Sequence, residues 1–146
     1  MRLDDDSFDN EAVYEKLKLL MPEGIELFGF GDPVMKSGEI SFASFKLDFD
    51  DISEFKAQLI EFLDADTIEA EKKTKKGKMK VIDLKEYVKS YSICDNSIKL
   101  ILAAGGSNNL NPKLLVDTFA AKFELKLPPY TVTRTMLYDE LMNEFK

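Results

Sequence analysis

Histidine is missing from all 146 residues, and so is tryptophan. Without histidine the chain has no imidazole base, none of the commonest zinc ligand, and no Ser-His or Cys-His nucleophilic pair. A single cysteine, Cys94, excludes an internal disulfide and any cysteine-based metal framework. It also excludes an iron–sulfur cluster held by this chain's own cysteines. Arginine occurs only twice, as Arg2 and Arg134. No apolar run approaches the length of a membrane span, and Met1–Asp6 lacks the apolar stretch of a secretory signal. A cytoplasmic, reducing setting is the expectation, with no membrane partner. Any catalysis would have to use Asp, Glu, Lys, Tyr or Cys94.

What is present is a hydrophobic content of 45% with eleven phenylalanines, enough for one real core. A chain this long buries roughly two-thirds of its unfolded surface. Charge is unevenly spread. Residues 1–71 carry 19 acids against 6 bases, residues 81–146 carry 8 of each, and the total is −7. Between them, six lysines fall within nine residues: Lys72, Lys73, Lys75, Lys76, Lys78 and Lys80. A positive segment concentrated in an acidic protein points to a binding surface.

Apolar periodicity predicts a helix from about Asn10 to Met21, capped by Asp9 or Asn10, with Val13, Leu17, Leu20 and Met21 on its inner face. Strands are expected at Ile25–Phe30 and Glu39–Phe49. A second helix is expected from Asp50, Asp51 or Ser53, presenting Ile52, Phe55, Leu59, Phe62 and Leu63, then a strand over Thr67–Lys73. With residues 1–3 as a truncated first strand, this order is the split βαβ pattern of a ferredoxin-like sandwich. The second half reads as a turn at Lys76-Gly77-Lys78, a short strand over Met79–Leu84, and a hairpin of Tyr87–Cys94 and Ser97–Ala104 around Asp95-Asn96. A helix from Asn111-Pro112 to about Glu124 follows. A strand over Tyr130–Leu137 and a terminal helix over Tyr138–Phe145 complete it. The expected class is α+β: an acidic ferredoxin-like half at 1–74 and a second α/β half at 75–146, packed as one unit.

Four features carry candidate chemistry. The lysine run offers phosphate contact, salt-sensitive through counterion release, or it is a solvated hairpin whose charges protect a strand edge. The loop Gly105, Gly106, Ser107 and Asn108 opens a helix, as phosphate-binding turns do, but matches neither the Walker A nor the dinucleotide pattern. Arg134, expected to share a strand face with Val132 and Met136, suits a carboxylate pair or a polyanion contact. Asp83 caps a short helical turn or acts as a catalytic acid with Arg134 and Tyr87 or Tyr91, in the manner of pseudouridine synthases. Asp4, Asp5, Asp6 and Asp9 lack the calcium-loop spacing, and no metal site or cofactor is expected.

The order Leu20-Met21-Pro22-Glu23-Gly24-Ile25, then Met79-Lys80-Val81-Ile82-Asp83-Leu84, then Ser107–Pro112, then Thr133-Arg134-Thr135-Met136-Leu137 resembles the radical SAM-linked protein family. This is a bacterial domain of unknown function encoded beside or fused to radical SAM proteins. The resemblance implies a radical SAM partner and an RNA- or ribosome-related task, and it carries over no catalytic residue. It also implies a further N-terminal portion with a Gly-Phe-Asn-Pro-Arg-Pro-like basic segment, which this sequence does not contain. The functional expectation is a non-catalytic accessory module that presents RNA, or a protein or ribosome-related substrate, to its partner. The alternatives are a protein-interaction scaffold or an RNA-modifying enzyme using Asp83 and Arg134.

Overall fold

A computed structural model describes residues 9–29, 34–73, 79–106 and 108–145, with only the backbone of Lys72, Lys73, Met79 and Lys80. The chain divides into two compact units, Met1–Val34 and Met35–Lys146. In the first, α1 spans Asn10–Leu20 and Asp9 caps it, its carboxylate accepting from the Glu11 N–H at 3.0 Å. Pro22 and Gly24 turn the chain after α1, with Gly24 at a φ of 90° that suits glycine. The Tyr14 hydroxyl donates to the Leu27 carbonyl at 3.1 Å and ties the following segment back to the helix. Residues 25–29 form no strand, contrary to their alternating pattern. Alternation alone does not make a strand; a backbone partner is needed, and within this unit the described residues supply none.

The second unit contains β1 (Phe42–Phe49), α2 (Lys56–Asp64), β2 (Glu69–Lys73), β3 (Met79–Asp83), β4 (Val88–Cys94), β5 (Ser97–Ala103), α3 (Pro112–Lys122) and β6 (Tyr130–Tyr138). Four strands form one antiparallel sheet in the order β4-β5-β1-β6. The helical connection from β1 to β4 passes β5, and the one from β5 to β6 passes β1. The expected boundary near residue 74 therefore runs through a shared sheet, since β1 lies between β5 and β6. The elements expected to make the ferredoxin-like half are not those that build this sheet. Residues 1–3 lie outside the described residues, and β2 pairs only with β3 in a separate two-stranded sheet.

Period-2 burial decides the faces of the sheet. Leu47, Phe49, Ile98, Leu100 and Leu102 are buried on one face against Leu59, Phe62 and Leu63 of α2 and Leu115, Val116 and Phe119 of α3. Aromatic rings knit this layer. Phe119 lies 5.4 Å from Phe62 and 5.9 Å from Phe55, and Tyr130 stacks on Phe49 at 4.9 Å. Asn111 caps α3 by accepting from the Lys113 N–H at 2.9 Å, with Pro112 in the first turn. Helix α2 starts later than its apolar pattern suggests. Asp51 accepts from the Ser53 N–H at 2.9 Å and closes a turn that buries Ile52 and Phe55 before the helix begins.

The terminal helix expected over 138–145 does not form. The Asp139 carboxylate accepts from the N–H groups of Leu141 and Asn143 and from the Asn143 side chain, at 2.8–2.9 Å. That local capture competes with helical bonding. The chain folds back instead, with Met142 at a φ of 66° and the Phe145 N–H donating to the Leu137 carbonyl at 2.9 Å.

Candidate nucleic-acid interface

The β2–β3 hairpin carries Lys72, Lys73 and Lys80 of the lysine run at its far end. Its ladder pairs Glu69 with Asp83, Ala70 with Ile82, Glu71 with Val81, Lys72 with Lys80, and Lys73 with Met79. Lys75, Lys76 and Lys78 lie outside the described residues. Charge therefore changes along the hairpin, acidic at the core end and basic at the turn end. The core end is firmly tied. Ile68 and Leu84 are buried, and the Leu84 N–H donates to the Ile68 carbonyl at 2.7 Å. Asp83 completes the clamp, one carboxylate oxygen accepting from the Ile68 N–H at 2.7 Å and the Lys85 N–H at 2.9 Å. The second bond closes a local turn just ahead of the 3-10 turn Lys85–Tyr87, whose N-cap position is Leu84, not the Asp83 expected from sequence. The Lys85 ammonium reaches the Leu63 carbonyl at the end of α2.

Arg134 is exposed on β6, opposite Phe45 of β1. Met136 does not share its face. The register shifts between Ser44 and Phe45, so Met136 lies opposite Ser44, and Thr135 bulges to donate its hydroxyl to Ser44 Oγ at 3.0 Å. Arg134 thus stands on the helix-covered side at the sheet edge, while Met136 is on the other. Among the described residues neither ion pair includes Arg134. Asp83 and Arg134 sit on elements that do not pair: Asp83 ends β3 of the hairpin, and Arg134 lies on the edge strand of the larger sheet.

Gly105 and Gly106 belong to a tight connection closed by the bridge between Ala104 and Asn109. A Cβ on Gly105 would meet the Ile40 carbonyl at 3.4 Å, an ordinary van der Waals contact. Asn108 is exposed, and Ser107 lies outside the described residues. Cys94 is exposed at the end of β4. No cluster of metal-ligating side chains occurs among the described residues. A cleft of ≈ 450 Å³ between the turn before α2 and the segment before β6 is lined by Asp51, Glu54, Lys126, Pro128 and Pro129 among others, none of them singled out by the sequence.

The uncovered face of the four-stranded sheet was not anticipated as a site. Ser90 and Ser92 of β4, Lys99 of β5 and Thr131 and Thr133 of β6 are exposed there. Lys46 of β1 stands directly opposite Lys99. The Phe49 N–H to Asn96 and the Ala104 N–H to Ser41 bonds fix the ladder's phase, which makes Lys46 and Lys99 a non-hydrogen-bonded pair. Such pairs have Cα atoms about 4.5 Å apart and closer side chains than hydrogen-bonded pairs. Asp48 on the same face accepts from the Lys46 ammonium at 2.7 Å and the Ser97 hydroxyl at 2.5 Å. These two contacts, Lys46 first, hold its carboxyl below the usual aspartate range. At the other end of the face the Lys89 ammonium lies 5.4 Å from the centre of the Phe42 ring. The sequence signal was present: lysines at outward positions of strands whose alternate residues are buried.

A family model described as "Uncharacterized protein conserved in bacteria (DUF2344)" matches residues 1–112, which includes the hairpin and every strand but β6. No curated protein and no solved structure matches the chain.

Proposed function

The chain belongs to the DUF2344 family of uncharacterized bacterial proteins, and we propose that it is a non-catalytic accessory module whose lysine hairpin binds RNA for a radical SAM partner. The observation that carries the RNA reading is the hairpin itself. Its core end is clamped by Asp83, Ile68 and Leu84, and the described Lys72, Lys73 and Lys80 stand at the opposite end of its ladder. A firmly based ladder whose sequence turns basic away from the core suits the sequence-independent contact that lysines make with phosphates. The engagement of the Asp83 carboxylate with two backbone N–H groups favours a structural role for that residue over proton transfer. The radical SAM partner rests on the motif order from Leu20 to Leu137. In the same reading the fold is ferredoxin-like, supported by the order β4-β5-β1-β6 with its two crossing helical connections, over residues 42–138.

RNA binding measured by fluorescence anisotropy across a salt series tests the proposal. Replacing Lys72, Lys73, Lys75, Lys76, Lys78 and Lys80 by Gln should weaken binding and flatten its salt dependence. Binding that is absent at low salt, or indifferent to the six substitutions, rejects it. A protein scaffold without RNA contact is the second reading, favoured by the excess of 13 acids over bases in residues 1–71. It predicts co-purification with the radical SAM protein by a chain that does not bind RNA.

A further inference from the structure

We infer that the uncovered face of the β4-β5-β1-β6 sheet is a second, separate binding surface, and that it takes a single-stranded RNA segment. The inference shares its ligand class with the proposed function but rests on different residues.

The first observation is the Lys46–Lys99 pair. Like charges directly opposite on neighbouring strands are destabilising, and the non-hydrogen-bonded geometry brings these two close. They occupy the two central strands, where folding alone would favour a β-branched or opposite-charge pair. A bound phosphate would turn this repulsive pair into a clamp. The second observation is the charge balance of the face. Among the described residues its acids are Asp48, already engaged by Lys46 and Ser97, and Glu144, which pairs with Tyr138 at the sheet edge. Lys99 and Lys89 belong to neither ion pair found among the described residues. The face therefore sets three lysines, Lys46, Lys89 and Lys99, against two acids, on a protein whose net charge is −7.

The third observation is the chemistry around the lysines. Ser90, Ser92, Thr131, Thr133 and Thr135 line the face with exposed hydroxyls that donate and accept. Phe42 lies four residues along β1 from Lys46, about 13 Å at strand rise. Its partly exposed ring sits beneath Lys89 and beside Tyr138, opposite Phe42 on β6. A flat surface with lysines, hydroxyls and an aromatic ring suits an unpaired strand, whose phosphates meet cations while a base stacks. It suits a protein partner poorly, since lysine is depleted in the centres of protein interfaces.

The test uses a fluorescein-labelled, unstructured 12-mer RNA, with poly-glutamate as the control polyanion. Variants are Lys46→Gln/Lys89→Gln/Lys99→Gln, Phe42→Leu and the six-lysine hairpin variant. The triple variant should bind the 12-mer about tenfold or more weakly. Its log–log salt slope should shrink by about 2, at roughly 0.7 for each phosphate that is no longer neutralised. Its melting temperature should stay close to that of the parent, because relief of the Lys46–Lys99 repulsion offsets loss of the exposed Lys46–Asp48 ion pair. Phe42→Leu should weaken the 12-mer without changing the slope. Loss in the triple variant with binding retained by the hairpin variant supports the sheet surface and rejects the hairpin. Loss confined to the hairpin variant overturns the sheet surface and leaves the hairpin standing. Equal displacement by poly-glutamate, or no binding of the 12-mer at low salt, also overturns it.

Discussion

Asp83→Ala is the sharpest perturbation of the hairpin's base. One carboxylate oxygen receives the Ile68 N–H at 2.7 Å and the Lys85 N–H at 2.9 Å, bridging 15 residues of chain. Ile68 is 2% exposed and Leu84 is fully buried, so water cannot easily replace the lost acceptor at Ile68. Hydrogen bonds to a charged group contribute about 1.5–3 kcal/mol each, and an orphaned buried donor costs about 1–3 kcal/mol. The Lys85 N–H, part-exposed, regains water. Alanine should therefore destabilise the fold by about 2–4 kcal/mol, whereas Asp83→Asn keeps a neutral acceptor in place and should lose only about 1 kcal/mol. For a chain of this size that corresponds to a drop in melting temperature of roughly 6–15 °C for alanine and 2–4 °C for asparagine. Urea unfolding followed by circular dichroism measures both. An alanine variant within about 0.5 kcal/mol of the parent, or an asparagine variant as damaged as alanine, would refute the clamp.

Three further outcomes follow from other parts of the fold. Phe119→Ala removes a buried ring packed on Phe55, Phe62 and Phe123 and should cost about 3–5 kcal/mol in the same urea assay. Asn111→Ala deletes the α3 cap and should cost about 1 kcal/mol, with Asn111→Asp nearly neutral. The Tyr91 hydroxyl donates to Asp64 at 2.6 Å, and this bond, with partial burial, raises its pKa to about 12. Because the protonated phenol is favoured by folding, the contribution is complete below the ordinary tyrosine range near 10 and fades as pH climbs toward 12. Ultraviolet titration should show the Tyr91 phenolate forming late, and Asp64→Asn should bring it down.

Local structure was legible where a short motif carries its own hydrogen bonds. The Asp9 and Asn111 caps and the hairpin turn at Asp95-Asn96 all involve partners a few residues away. Sheet order was not legible, because it depends on pairings such as Phe42 with Ala103 and Phe49 with Tyr130, separated by 60 or more residues. The ferredoxin-like pattern was therefore read within residues 1–74, although β1 forms its sheet with strands from the second half. At 138–145 a terminal helix was expected, and the side chain of Asp139 overrode it. The Lys46–Lys99 pair needed the register of β1 against β5 before it could be seen as a pair. The bulge at Thr135 likewise moved Met136 off the face of Arg134.

The most direct test of RNA binding is the salt dependence of affinity for a single-stranded RNA, measured on the parent chain. Cationic contacts predict binding at low salt that falls linearly in log–log form, with a slope steeper than about −2 that flattens when the hairpin lysines become glutamine. A flat salt response, or no binding at low salt, would contradict the account.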